Sequence, residues 1–116
     1  MGLRAQQSTS RGQLWRGAEH GGGNALSGHG GGSLLADTST QAFDQVMNIN
    51  LRGTFFCCRA GFRQMKQQDD GGVIINISSV AGLQAWAGTG TYSASKHGIM
   101  ALTKTLADEG RPYHIK

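Results

Sequence analysis

The chain has 116 residues, a formal net charge of +4 from 11 basic and 7 acidic side chains, and an apolar content of 38%, on the low side for a globular domain. That length holds one small domain and no more. No apolar stretch approaches the roughly 18–20 residues of a membrane span, and no apolar segment near Met1 has the form of a secretory leader; a cytoplasmic protein away from membranes is the expectation.

Glycine splits the chain. Ten of its 19 glycines precede Ser33, so residues 1–32 are expected to form a disordered or looping arm and residues 33–116 a folded domain. Residues 1–37 show neither the helix nor the strand period. Gln13-Leu14-Trp15-Arg16 makes a poor buried strand. Arg4, Arg11 and Arg16 give the arm a basic character, opposed only by Glu19 before Asp37. With Trp15 as its lone aromatic it lacks the interleaved rings of a nucleic-acid platform, and a solvated arm with no specific nucleic acid partner is the expectation.

Organisation begins at Thr38, which with Gln41 has the form of a capping box. Phe43, Val46, Met47, Leu51, Phe55, Cys58, Phe62 and Met65 then recur at three- and four-residue steps, predicting one amphipathic helix. Gly53 inside it costs about 1 kcal/mol against Ala and suggests a kink or a close backbone approach. Cys57 and Cys58 are adjacent, lie in an apolar run and have no zinc spacing around them, which reads as buried thiols in a reducing compartment. The helix should stop near Gln67-Gln68-Asp69-Asp70-Gly71-Gly72.

Val73-Ile74-Ile75-Asn76-Ile77 follows, a β-branched run bounded by turn residues, as in a buried strand of a parallel sheet. The segment from Ser78 to Gly90 is small and polar and reads as a loop. A second helix is predicted over about 91–109, with Ile99, Leu102 and Leu106 inward and Gly110 and Pro112 as its stop. Helix, strand, helix is the alternation of an α/β, doubly wound fold, in which ligands bind beyond the carboxyl ends of the strands. Ser78 and Ser79 fall at that edge.

Tyr92 and Lys96, four residues apart at a helix start, share one face. A phenol, with a pKa of about 10, is a poor base at neutral pH; an ammonium on the same face favours the phenolate and lets Tyr92 exchange a proton with an alcohol or ketone. Ser79, thirteen residues earlier, has a hydroxyl suited to polarising the carbonyl. Tyr-x-x-x-Lys alone is more often a surface pair, and Ser-Ser at a strand end more often a turn. The strand, the serine pair, the gap and the Tyr/Lys pair together are far more specific.

Asn76-Ile77-Ser78-Ser79-Val80-Ala81-Gly82 followed by Tyr92-Ser93-Ala94-Ser95-Lys96 resembles the catalytic half of the classical short-chain dehydrogenase/reductase family. Asn50-Leu51-Arg52-Gly53 is similar to the family's Asn motif, and Leu102-Thr103-Lys104-Thr105-Leu106-Ala107 to the continuation of its active-site helix. The resemblance implies an incomplete Rossmann-like doubly wound parallel sheet with a helix-strand-helix core, and NAD(P)-dependent oxidoreduction of a ketone/secondary-alcohol pair. It implies Tyr92 as general acid/base, Lys96 as the group that supports it and holds the ribose hydroxyls of NAD or NADP, Ser79 as the carbonyl donor, and Asn50 as the anchor of a water in the proton relay. A small-molecule carbonyl or alcohol is the implied substrate, and full-length relatives are expected to form homo-oligomers through these two helices.

The family's cofactor-binding turn is not matched convincingly. Gly17-Ala18-Glu19-His20-Gly21-Gly22-Gly23 contains its Gly-x-x-x-Gly-x-Gly spacing, but no good strand precedes it and no amphipathic helix follows, so the match is read as fortuitous. Asn24-Ala25-Leu26-Ser27-Gly28 stands near the place of the family's Asn-Asn-Ala-Gly strand end without matching it, and residues 1–27 are read as outside the family sequence. The strand at 73–77 should then lack parallel neighbours and expose its edges, and the isolated chain should bind cofactor weakly and be inactive. The alternative is a catalytically inactive remnant that acts only by packing against a partner.

Overall fold

The computed structural model describes residues 13–16 and 33–116. The Gly-rich segment 1–32, with the Gly17–Gly23 spacing and Asn24–Gly28, otherwise lies outside the described residues. Two four-residue strands, β1 (Gln13–Arg16) and β2 (Gly72–Ile75), pair in parallel with Gln13 opposite Gly72 and Arg16 opposite Ile75. Between them run α1 (Thr40–Val46), a π-turn (Met47–Arg52) and α2 (Gly53–Met65). Beyond β2 come a 3-10 turn (Val80–Gly82), α3 (Gly90–Gly110) and a last 3-10 turn (Arg111–Tyr113).

The strand at Gln13–Arg16 corrects the reading of that segment as unstructured. Its residue pattern carries no strand signal; the open edge of β2 supplies the pairing, and tertiary context overrides weak propensity. The expectation that β2 lacks parallel neighbours is corrected with it. Gly72 pairs with Gln13 on one side and with Ile115, also parallel, on the other. Along that second edge Gly72 N–H donates to His114 O, Lys116 N–H to Gly72 O (2.9 Å) and Ile74 N–H to Lys116 O (2.6 Å). The helix-strand-helix core is therefore flanked by β1 on one side and by a single parallel bridge at Ile115 on the other, the beginning of an incomplete α/β Rossmann-like sheet.

Burial along β2 also departs from a fully covered strand. Gly72 is buried, but Val73 and Ile75 are 37% and 44% exposed. One face carries α2: Met65 is wholly buried, and a Cβ on Gly72 would meet its Sδ at 2.5 Å. No described element covers the other face, so the apolar run reads as two-sided while packing on one side. Cys58, Met65, Ala81, Ile99 and Ile115 form the buried apolar core.

The first predicted helix is interrupted. Its cap is Ser39, whose Oγ accepts from Ala42 N–H at 3.1 Å, one residue beyond the expected Thr38; Thr38 Oγ1 instead donates to Leu34 O. At Met47–Arg52 the helix widens, and Gly53 N–H reaches back five residues to Asn48 O. One inserted residue turns everything after it by about 100° relative to a continuous α-helix. That rotation takes Phe43, before the widened turn, off the stripe that buries Cys58 and Met65 after it, and Phe43 is 44% exposed; Phe55, beyond the turn like Cys58, is 42% exposed at the edge of that stripe. Gly53 stands where the widened turn ends, but no close neighbour requires it: an added Cβ would find only Asn48 O, at 3.7 Å.

Helix α3 ends as punctuated by Gly110 and Pro112, though not through a glycine cap. Gly110 has ordinary helical φ, and its missing side chain makes room for Ile115 O, 2.6 Å from where a Cβ would sit. The left-handed residue is His114, at φ 56. Gly71, at φ 67, makes the matching turn into β2 against the backbone of His114.

Candidate active site

Beyond β2 the chain runs along α3, and two side chains fasten it there. Ser78 Oγ donates to Lys96 O at 3.1 Å, and Lys96 Nζ returns a bond to Ile77 O at 3.3 Å. Ser79 caps the 3-10 turn, its Oγ accepting from Ala81 N–H at 3.2 Å. Gly82 completes the contact: a Cβ there would collide with Ser78 Oγ and approach Lys96 O to 3.1 Å.

Tyr92 and Lys96 stand one turn apart near the start of α3, both half-buried. The Lys96 ammonium lies 5.7 Å from the centre of the Tyr92 ring, within cation–π range. Its bond to Ile77 O places this charge at the carboxyl end of β2, close in sequence to Ser79. Tyr92 also lines a cleft of about 80 Å³ with Thr38, Val46 and Thr89 among its walls.

Asn50 enters from the π-turn. Its Nδ2 donates to Ser95 Oγ at 3.2 Å, and Ser95 Oγ donates in turn to Tyr92 O at 2.7 Å. Thr54 Oγ1 donates to Asn50 O at 2.6 Å. The structure thus links Asn50, through Ser95, to the turn that bears Tyr92 and Lys96, and links Lys96 to the segment that bears Ser79. Ser95, Thr54, Ser78 and Gly82 carry these links; of these the sequence points to Ser78, at the strand end, and gives no role to Ser95, Thr54 or Gly82. The i to i+3 spacing of Ser95 from Tyr92 and the i to i+4 spacing of Thr54 from Asn50 are the local hints; the rest depends on which helices meet.

A second polar chain lies deeper. The Cys58 thiol donates to Asn76 Oδ1 (3.2 Å), Asn76 Nδ2 to Thr103 Oγ1 (3.0 Å), and Thr103 Oγ1 to Ile99 O (2.8 Å). Burial pushes the Cys58 pKa above its ordinary 9.0; the bond to Asn76 opposes that shift and the neighbouring Cys57 adds to it. Cys57 and Cys58 are both free. Among the described residues no cluster of His, Cys, Asp and Glu is arranged to hold a metal ion, and no helix is long and apolar enough to cross a membrane.

Parallel strands connected through helices define an incomplete α/β, Rossmann-like protein, the class in which ligands bind beyond the carboxyl ends of the strands. The family model described as short chain dehydrogenase matches residues 24–116, and the chain belongs to that family. The matched span begins upstream of residue 33, where composition places the domain boundary. The chain is similar to the short-chain dehydrogenase/reductase ABA4 of Pyricularia oryzae, 37% identical over 82 residues that cover 71% of this chain and 29% of that protein. Among solved structures it resembles carveol dehydrogenase from Mycobacterium avium in complex with NAD, with a TM-score of 0.71 and 33% identity, covering 73% of this chain and 31% of that one. It also resembles ElxO with NADP bound, with a TM-score of 0.70 and 35% identity, covering 74% and 34%. The chain spans about a third of the length of the relatives it matches.

Proposed function

We propose that this chain carries the proton-transfer side of an NAD(P)-dependent oxidoreductase acting on a ketone/secondary-alcohol pair. The observation that carries the reading is the Tyr92–Lys96 pair at the head of α3, with Lys96 tied back to Ile77 at the strand end. Tyr92 gives its phenolic proton to the oxygen of a carbonyl undergoing reduction, and takes a proton back from the alcohol in the reverse direction. Lys96 places positive charge beside that oxygen. Ser79 Oγ donates to the substrate oxygen and orients it. Asn50, on its π-turn, orders the water through which the proton is replenished.

The residues present fit a nicotinamide cofactor. An ammonium has three donors, and the described residues engage one of them, at 3.3 Å; Lys96 with Tyr92 therefore suits the two ribose hydroxyls. When bound, the nicotinamide supplies or accepts the hydride. NAD-bound and NADP-bound proteins both occur among the structural relatives, and either cofactor is compatible with these residues. The free thiols suit a reducing, cytoplasmic setting.

The test uses the purified chain with ketones and NAD(P)H followed by absorbance. At micromolar cofactor weak binding should leave the chain inactive, as expected from its sequence; only where millimolar cofactor offsets that weak binding is slow reduction expected, and it should fall by about 10²-fold or more in Tyr92→Phe. A rate indifferent to Tyr92→Phe sinks the reading. It would then favour the second one, a non-catalytic piece that acts by packing, to which the exposed Phe43, Ile49, Phe55 and Phe56 lend support.

A further inference from the structure

Ser95 is wholly buried, yet its hydroxyl is fully engaged. It donates to Tyr92 O at 2.7 Å and accepts from Asn50 Nδ2 at 3.2 Å, a partner 45 residues away. A buried helical serine commonly bonds a carbonyl in the preceding turn and nothing more; the bond from Asn50 sets this one apart. Asn50 is held at its other end as well, by Thr54 Oγ1 on its carbonyl. These ties fall on the stretch of helix that most needs them. A π-turn has poorer hydrogen-bond geometry than an α-helix. Released from outside support, it would relax by one residue and swing Asn50 about 100° away from α3.

We infer that Ser95 is a positioning residue: its hydroxyl locks the π-turn that carries Asn50 onto the turn of α3 that carries Tyr92. The lock stands on geometry alone, while its consequence for turnover rests on the proton-transfer reading above. Ser95, wholly buried between Asn50 and Tyr92 O, acts on neither substrate nor cofactor directly. It keeps two groups in register that come from different helices and would otherwise move independently.

The test is Ser95→Ala, which removes both bonds with little change in volume, measured in the full chain by amide hydrogen exchange and by the Asn50 side-chain amide resonances. Exchange at Asn50 Nδ2 and at the backbone amides of residues 47–53 should quicken by roughly tenfold, with the amides of Leu102–Leu106 unchanged. Asn50→Ala, which approaches the same tie from the half-buried side, should quicken the same backbone amides, and Ser95→Ala should add little to it. At saturating cofactor Ser95→Ala should lower kcat by about tenfold with KM for the ketone unchanged. Unaltered exchange at Asn50, a uniform rise along all of α3, or an unchanged kcat in an active protein would each overturn the lock. Absence of Tyr92-dependent turnover in the parent chain would instead sink the proton-transfer reading and leave the exchange data to decide the lock.

Discussion

Leu51 of the π-turn lies directly on Gly98 of α3: a Cβ at position 98 would stand 2.8 Å from Leu51 Cδ1 and 2.9 Å from Cδ2. The absence of a side chain at 98 is what lets the widened turn approach α3 closely enough for Asn50 to reach Ser95. Gly98→Ala gains about 1 kcal/mol of helix propensity but must displace Leu51, a cost of about 1–3 kcal/mol. A net loss of stability of up to about 2 kcal/mol is expected. Gly53→Ala, with only Asn48 O at 3.7 Å, should gain most of that propensity. Thermal melts of the two variants should move in opposite directions; a Tm raised equally in both would show that Leu51 has room to spare.

These two glycines mark how far the fold is legible in the sequence. Helix α3 is, because its period and the Gly110–Pro112 punctuation are local signals, and its observed bounds lie within a residue of those expected. Tyr92 and Lys96 are placed on one face by spacing alone. The π-turn is only half legible: Gly53 suggests an irregularity in the helix, but residues 47–52 carry no mark of an inserted residue, and the contacts of Asn50 with Ser95 and of Leu51 with Gly98 come from a helix distant in sequence. Gln13–Arg16 is illegible for a similar reason, its strand being set by the edge of β2. Tyr92, Lys96, Ser79 and Asn50 stand out as residue types, whereas the links among them belong to tertiary structure.

Asn76 joins three elements, accepting from Cys58 on α2 and donating to Thr103 on α3 from just beyond β2. Asn76→Ala leaves the Cys58 thiol without its acceptor and removes a bond to Thr103, whose hydroxyl keeps its own bond to Ile99 O. A loss of about 1–3 kcal/mol is expected in denaturant unfolding. Thr103→Val should cost less, because Asn76 retains the thiol. If Thr103→Val proved the more damaging of the two, Asn76 would not be the hub of this network.

Cys58 is 4% exposed and Cys57 half-buried, so an alkylating reagent should modify Cys57 in the folded chain and Cys58 only on unfolding. Burial favours the neutral Cys58 thiol and raises its pKa above 9.0. A group raised on folding contributes stability that is full below its unfolded pKa and lost as pH rises through its folded one. The difference in stability between the parent chain and Cys58→Ala should therefore be constant from pH 7 to about 8 and shrink above pH 9. A difference that widens with alkaline pH would mean that the fold stabilises the thiolate instead.

The seat of Ser79 on α3 can be tested at Gly82. The turn that Ser79 caps is pressed against the helix by the Ser78–Lys96 bond, and no Cβ fits at Gly82 beside Ser78 Oγ and Lys96 O. Gly82→Ala must push the turn outward, at an overpacking cost of about 1–3 kcal/mol, and should break the Ser78 bond as it does so. Ser78→Ala removes that bond alone, worth about 1 kcal/mol. The order of Tm should be parent, Ser78→Ala, Gly82→Ala, and the double variant should lie at or above Gly82→Ala, because both lose the same bond and Ser78→Ala removes the oxygen that the new Cβ meets. Strict additivity in the double variant would show that Gly82 acts on something other than the Ser78–Lys96 contact, and that Ser79 is seated by other means.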